Sequence, residues 1–358
     1  MAFDPIYIFW VQSSKSGYNI LLKKSADGGQ TFGSQITVFK GKNSTFSGPR
    51  FWQGKTRSIY VIWTDGVPQF NPAYNILFKK GTGGGSIFGP TINVNSNDPQ
   101  LPFLTNSSEV GIAVDSKQNI YVVSSVSPSH VPDNSKIVLH KSTHGGQTFA
   151  PLTTVSNQGT HNSIAIDSKD NIYVSWRQNS QVLLKKSTDG GQTFGPATEI
   201  SNIGSDIQIN IDSQNNVYIS WRTQSQNDEV FVKKSTDGGK TFSKEVNISN
   251  SPQDSYNYDI TIESKGKLYA VWYEEGVAPA GEILLKKSTD GGNTFGNPIQ
   301  IAQLVKLSDS HVPKIGISSN VLYVVWNDAT LNNPNSNVLF IKRSTDGGKI
   351  FGSSIQIN

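Results

Sequence analysis

One phrase recurs seven times along the 358-residue chain, and no other feature restricts its folding as strongly. It reads LLKKSADGGQTFG up to Gly33, LLKKSTDGGQTFG up to Gly195 and LLKKSTDGGNTFG up to Gly296. Variants close at Ala150, Ser243 and Gly352, and a worn copy, FKKGTGGGSIFG, closes at Gly89. The closing aromatics Phe32, Phe88, Phe149, Phe194, Phe242, Phe295 and Phe351 stand about 53 residues apart. A second phrase precedes each copy, as in IYIFW up to Trp10 and IYVSW up to Trp176, with equivalents at Trp63, Trp221, Trp272 and Trp326. The third unit has Ser124 at that place. Before this phrase lies a run such as SIAID or IQINID, and after the Phe a shorter one such as TEI. Each unit therefore predicts four short strands, A to D, separated by turn residues. Runs A and B join through Asp-Ser-x-x-Asn, at 115–119, 167–171 and 212–216, where side-chain oxygens bond nearby amides and close a hairpin. No helical period is present.

Four-stranded units of this length, repeated radially, are propeller blades. The expected fold is all-β: a seven-bladed β-propeller of four-stranded antiparallel blades. It forms one domain over 1–358, with units at 1–40, 41–96, 97–157, 158–202, 203–250, 251–303 and 304–358. A linear β-array is the alternative, but it leaves more strand edges unpaired. The first unit starts at strand B, so twenty-seven strands are expected and the first blade lacks its inner strand. A missing segment or a neighbouring chain completing blade one is the expected partner there.

Composition excludes several classes. Lys+Arg 31 against Asp+Glu 27 gives +4, spread along the chain, which does not suit a nucleic-acid protein. No apolar run approaches the ~20 residues of a membrane helix. Zero Cys excludes disulfides, thiolate zinc sites and thiol catalysis. The five His show no metal spacing. The start, MAFDPIYIFW, has neither a basic nor an apolar leader region, and is read as a mature, trimmed or excised start. Sequons at Asn43, Asn106 and Asn247 fit a secreted or cell-surface location. The aligned Trp residues read as packing between blades, since they keep one register. The Lys-Lys pairs ahead of each turn (Lys23-Lys24, Lys185-Lys186, Lys233-Lys234) read as a solvated row.

The line Ser-x-Asp-x-Gly-x-Thr-Phe, complete at Ser25–Phe32, Ser187–Phe194, Ser235–Phe242 and Ser288–Phe295, resembles the Asp-box, or BNR repeat, of sialidase-like propellers. The seventh unit has Ile350 for Thr and the third has His144 for Asp. The resemblance covers essentially the whole chain. It implies that Asp27, Asp189, Asp237, Asp290 and Asp346 brace the C–D turns, on the face opposite a ligand. No cofactor is required, and calcium on these turns is possible.

By the same resemblance, ligands approach the face built by the B–C and D–A loops. Glu109, His161, Asp206, Tyr256, Asp259, Glu274, Glu275 and His311 are the candidates there. The long insertions are 64–74, 125–135 and 273–281. Sialidases hold a substrate carboxylate with three Arg and use a Tyr nucleophile activated by Glu, plus an Asp acid/base. The matching residues would be Arg50, Arg177 and Arg222 as clamp, Tyr273 as nucleophile and Asp65 as acid/base. The family's Phe/Tyr-Arg-Ile-Pro motif is absent, and no Glu lies between Glu109 and Glu199, where the activating one belongs. Two classes of function follow. One is a non-catalytic module binding a glycan or protein ligand; the other is a sialidase-like exo-glycoside hydrolase. A structural module of a larger surface assembly is a third reading.

Overall fold

In a computed structural model the chain is described over residues 4–14, 17–42, 46–54, 57–67, 73–96, 110–126, 135–263, 266–276, 280–305, 311–330 and 333–358. Seven antiparallel sheets follow one another, making the protein a seven-bladed β-propeller with three strands in its first blade. No helix occurs among the described residues. The chain falls into two compact units. One comprises Met1–Ile6, Lys24–Gly33 and Ile203–Asn358, the other Tyr7–Lys23 and Ser34–Asn202. Strands B, C and D of blade one are Ile6–Ser14, Gly17–Ser25 and Ile36–Gly41. The described strands number twenty-eight, because the outer run of blade two is split into Ile87–Phe88 and Ile92–Asn93, both paired with Ala73–Thr82. That blade carries the worn turn, whose Ser86 amide bonds the Thr82 carbonyl in place of an Asp-centred network.

The repeated sequence makes the same local structure each time. In the A–B hairpin of blade four, Asp167 Oδ1 accepts the amides of Lys169 and Asn171, both at 2.9 Å. Its other oxygen accepts Asn171 Nδ2 at 2.8 Å and the Tyr173 hydroxyl at 3.0 Å. Asp115 and Asp212 repeat this, so the strand-B tyrosine is part of the turn as well as of the core. Strand B is buried from end to end in Ile120–Val126 and Leu268–Glu274. Its apolar residues join those of the neighbouring blade. Trp176 packs with Ile137, Leu139 and Val155 of blade three, and Trp272 with Tyr218, Val230 and Ile248 of blade five. Burial of these interlocked side chains is the main apolar gain of the fold.

The lysine row is half-buried rather than fully solvated. Within each compact unit, the first Lys of the pair reaches back to a carbonyl near the outer strand of the preceding blade. Lys79 Nζ meets Val38 O at 3.1 Å, Lys185 meets Val155 O at 2.7 Å and Lys342 meets Ile301 O at 2.6 Å. The second reaches forward to the next turn, as Lys141 does to Gly190 O at 3.0 Å and Lys287 to Gly347 O at 2.8 Å. Their stems lie over the strand-B rings, with Lys185 Nζ 5.8 Å from the Trp176 centroid and Lys287 Nζ 5.3 Å from that of Tyr269. A long stem and three rotatable donors let one side chain cover apolar surface and satisfy a carbonyl together. In blade seven Arg343 takes the second role, donating to Gly28 O at 3.0 Å, and the Tyr323 hydroxyl joins it at 3.2 Å.

Candidate functional site

The acidic C–D turns are closed networks. Ser187 Oγ donates to Asp189 Oδ1 at 2.7 Å and accepts the Gly191 amide at 2.9 Å. Asp189 also accepts the amides of Gln192 and Thr193 and, at 2.5 Å, the Thr193 hydroxyl. Asp27, Asp237 and Asp290 repeat the set, and Asp346 lacks only the hydroxyl that Ile350 cannot supply. Donors led by the Thr hydroxyl hold the Asp27, Asp189 and Asp237 carboxyls far below the usual range, and that of Asp290 at about 2. Gly191, at φ 85, sits where a Cβ would lie 2.6 Å from Leu139 of blade three. Among the described residues no group of three or more His, Asp or Glu gathers as a metal would need.

The strand-A ends are irregular in a repeated way. Register shifts fall between Thr160 and Ser163, Ser205 and Gln208, and Tyr256 and Asp259. Within these bulges His161, Asp206 and Asn257 take left-handed backbone, at φ 53, 51 and 55. A bulge re-aims the side chains at the end of a strand, and such strain collects where a surface is specialised.

In the unit that contains Ile203–Asn358, the ends of blades five and six carry a dense polar cluster. Arg222, which ends strand B of blade five (Val217–Arg222), is gripped by two carboxylates. Its Nε lies 2.6 Å from Asp206 Oδ2, and an Nη pairs with Asp228. The Asp228 amide donates to Asp254 Oδ1 at 2.8 Å, and the Asp254 carbonyl accepts the Glu275 amide at 2.9 Å. Tyr258 donates its hydroxyl to Asp206 O at 2.6 Å, and burial pushes that phenol well above its ordinary pKa. Glu274 is buried, accepting Trp272 Nε1 at 2.6 Å and Ser255 Oγ at 2.7 Å, with Ser251 on its other oxygen. The Tyr256 hydroxyl donates to Glu275. Tyr273 is buried, its hydroxyl on Ala280 O at 3.3 Å and its ring 5.4 Å from that of His311. His311 donates Nδ1–H to Asn327 O at 2.8 Å. Asp259 meets Lys314 Nζ at 3.5 Å and takes the Ile315 amide at 3.0 Å.

The other unit holds the remaining candidates. Arg50 is exposed on strand A of blade two (Phe46–Gln53), and Arg177 is half-buried in strand B of blade four (Ile172–Gln178). Asp65 lies against Tyr18, and burial together with the Asp65 charge raises that phenol's pKa. His161 Nδ1 is 3.1 Å from Thr160 Oγ1. Between blades three and four an open cleft of about 640 Å³ is lined by Thr154, Val155, Ser156, Asn157, Gln158, Gln178 and Lys185. Gln178 Nε2 and Gln158 Oε1 face each other across it at 3.4 Å. Glu109, His130 and parts of the three long insertions lie outside the described residues.

Sequence reasoning missed Asp228 and Asp254, and it named Tyr256 and Glu275 as candidates without pairing them. The runs SQNDE at 225–229 and SPQDS at 251–255 are the available signal, but only strand register says which carboxylates meet Arg222. The amide-lined cleft was missed as well, since Gln158 and Gln178 stand twenty residues apart with nothing to mark them as neighbours.

No protein-family model matches the sequence, and no curated protein is recognisably similar to it. Solved structures do resemble it. A protein of unknown function from Dyadobacter fermentans aligns with a TM-score of 0.59 at 14% identity, covering 84% of this chain and 95% of that one. An ulvan lyase, a polysaccharide lyase, aligns at 0.56 and 12%, covering 90% and 87%. A Hadza microbial sialidase aligns at 0.55 and 11%, covering 88% and 72%. At such identities the likeness is one of fold: these are β-propellers, two of which act on carbohydrate.

Proposed function

We propose that this protein is a non-catalytic Asp-box β-propeller that binds a neutral glycan, at the cell surface or secreted. The observation that carries the reading is Arg222. Its charge is already met by two carboxylates, Asp206 and Asp228, so the residue best placed to clamp a substrate carboxylate is paired with the protein's own. Tyr273, the matching nucleophile, has its hydroxyl turned to a buried carbonyl. The acidic turns support the Asp-box assignment, because each carboxylate is used up in bracing its own hairpin. The cleft between blades three and four supports the ligand class. Its amides and hydroxyls match the donors and acceptors of sugar hydroxyls, and the long Gln158–Gln178 contact yields readily to a competing hydroxyl. On a glycan array the protein is expected to retain a set of neutral glycans. The double variant Gln158→Ala, Gln178→Ala should lose them by about tenfold or more, and its melting temperature shows whether loss of the Trp176 Nε1 contact to Gln178 has disturbed the fold. An array without ligands, or retention unchanged in the variant, rejects the reading.

A sialidase-like hydrolase is the second reading, and the Tyr256–Glu275 pair favours it, since a Tyr activated by Glu is that family's nucleophile. Turnover of a fluorogenic sialoside that is abolished in Tyr256→Phe would establish it over the first.

A further inference from the structure

Three joints between blades place the loop that follows an outer strand against the residue two places beyond the next blade's strand-B tryptophan. Between blades five and six that residue is Glu274, which holds Trp272 Nε1 at 2.6 Å and takes the Ser251 and Ser255 hydroxyls. Between blades six and seven it is Asp328, which takes the Val305 amide at 3.0 Å. Both carboxylates are buried, so the loop seals the joint. Between blades three and four the equivalent residue is Gln178, and the joint is the open cleft. Gln178 Oε1 accepts Trp176 Nε1, and its Nε2 donates to Gln158 Oε1, each at the long distance of 3.4 Å. Gln158 stands three residues beyond the carbonyl that Lys185 holds, as Ser251 does beyond that of Lys286. The backbone around Gln158 is fixed. Ser156 Oγ donates to the Gln158 carbonyl at 2.8 Å, and the Gly159 amide to Ser135 O at 2.7 Å. Gly159 is at φ 149, and a Cβ there would lie 2.3 Å from the Trp176 ring. Only the Gln158 side chain needs to swing for the Gln178 amide to be released from the loop.

We propose, as an inference that rests on the glycan reading of this cleft, that Gln178 is its specificity-determining residue, and that it selects neutral glycans whose inner residues keep two free hydroxyls on adjacent ring carbons. A carboxylate at this place is acceptor-only, which suits the donors of the chain's own loop. An amide presents an acceptor and a donor side by side. Two hydroxyls on neighbouring carbons offer the complementary pair, one donating to Oε1 and the other accepting from Nε2. Such a diol replaces the long bond to Gln158 with a paired one, and Gln158 is then the competitor that the ligand displaces. Because the cleft is open, an inner residue of a sugar chain reaches the amide as well as an end does.

The test uses the 358-residue protein and pairs of soluble glucans and galactans that share a sugar and differ in linkage. Joined through carbon four, every inner ring keeps adjacent hydroxyls on carbons two and three. Joined through carbon three, no inner ring keeps an adjacent pair. The protein is expected to retain the carbon-four chains about tenfold better or more. Gln178→Ala should lose that retention by about tenfold or more, whereas Gln158→Ala, which removes only the competitor, should match or exceed the unaltered protein. The linkage comparison is made on the unaltered protein, so it holds whatever Gln178→Ala does to the Trp176 contact. Equal retention of the two linkages, or a loss in Gln158→Ala as large as that in Gln178→Ala, overturns the proposal and leaves the glycan reading in place. Failure of the unaltered protein to retain any glycan on the array rejects that reading, and this assignment with it.

Discussion

The acidic turns show how a surface carboxylate can be structural. Asp290 accepts the amides of Asn293 and Thr294, both at 3.0 Å, and hydroxyls from Ser288 and Thr294 at 2.7 and 2.6 Å. Ser288 is itself buried, and also accepts the Gly292 amide at 2.8 Å. Ser288→Ala removes an acceptor from that amide and a donor from Asp290, and should cost about 1–3 kcal/mol in urea unfolding. The same bonds set the acid limit. A carboxyl whose folded pKa is depressed adds stability above its unfolded pKa and loses it as pH falls through the folded one. Stability should therefore decline from about pH 4 toward pH 2, where Asp290 titrates, with Asp27, Asp189 and Asp237 protonating lower still. Near-UV circular dichroism during acid titration checks this. A midpoint close to neutrality would contradict it.

At the scale of the strand, the lysine pairs decide how neighbouring blades are joined. Lys286 is buried, held by Ile248 O at 2.9 Å and Ser249 O at 2.7 Å, with its head 5.8 Å above the Trp272 ring. Burial lowers its pKa, opposed by the charges of Glu229 and Glu274. Lys286→Met keeps the stem but strands two carbonyls, and should cost about 1–3 kcal/mol. Trp176→Ala opens a cavity among the residues of two blades and should cost about 3–5 kcal/mol. If Lys286→Met left the unfolding midpoint unchanged, its carbonyl contacts would have to be made equally well by water.

At the scale of the whole molecule, similar phrases meet different surroundings. IYIFW in blade one and IYVSW in blade four carry one pattern, yet Trp10 is half-buried and Trp176 is 1% exposed. Amides of Ile6–Ser14 should therefore exchange faster than those of Ile172–Gln178 in native-state hydrogen exchange. Equal protection would contradict the difference in burial between the two strands. The prevalence of structural roles among repeated residues also bears on function. Five aligned Asp, the aligned Trp63, Trp176, Trp272 and Trp326 and the Lys pairs are spent on turns and on joining blades, which leaves specificity to bulges and loops that differ from blade to blade.

The fold was legible because repetition multiplies weak local signals. Asp167 with Asn171, or Ser187 with Asp189, makes contacts within a few residues of chain, so the hairpins and their spacing can be read without knowing what lies across space. The site was not legible in that way. Which carboxylates neutralise Arg222, which side chain faces Glu275, and whether Gln158 meets Gln178 depend on strand register and on one-residue bulges, each of which turns a side chain to a different face. The lysines show the same division. Their sequence position says only that they flank a turn, whereas their carbonyl partners lie some thirty to sixty residues away, in the neighbouring blade. Local hydrogen bonding thus determined the strands and turns, and long-range pairing alone decided which polar groups were left to meet a ligand.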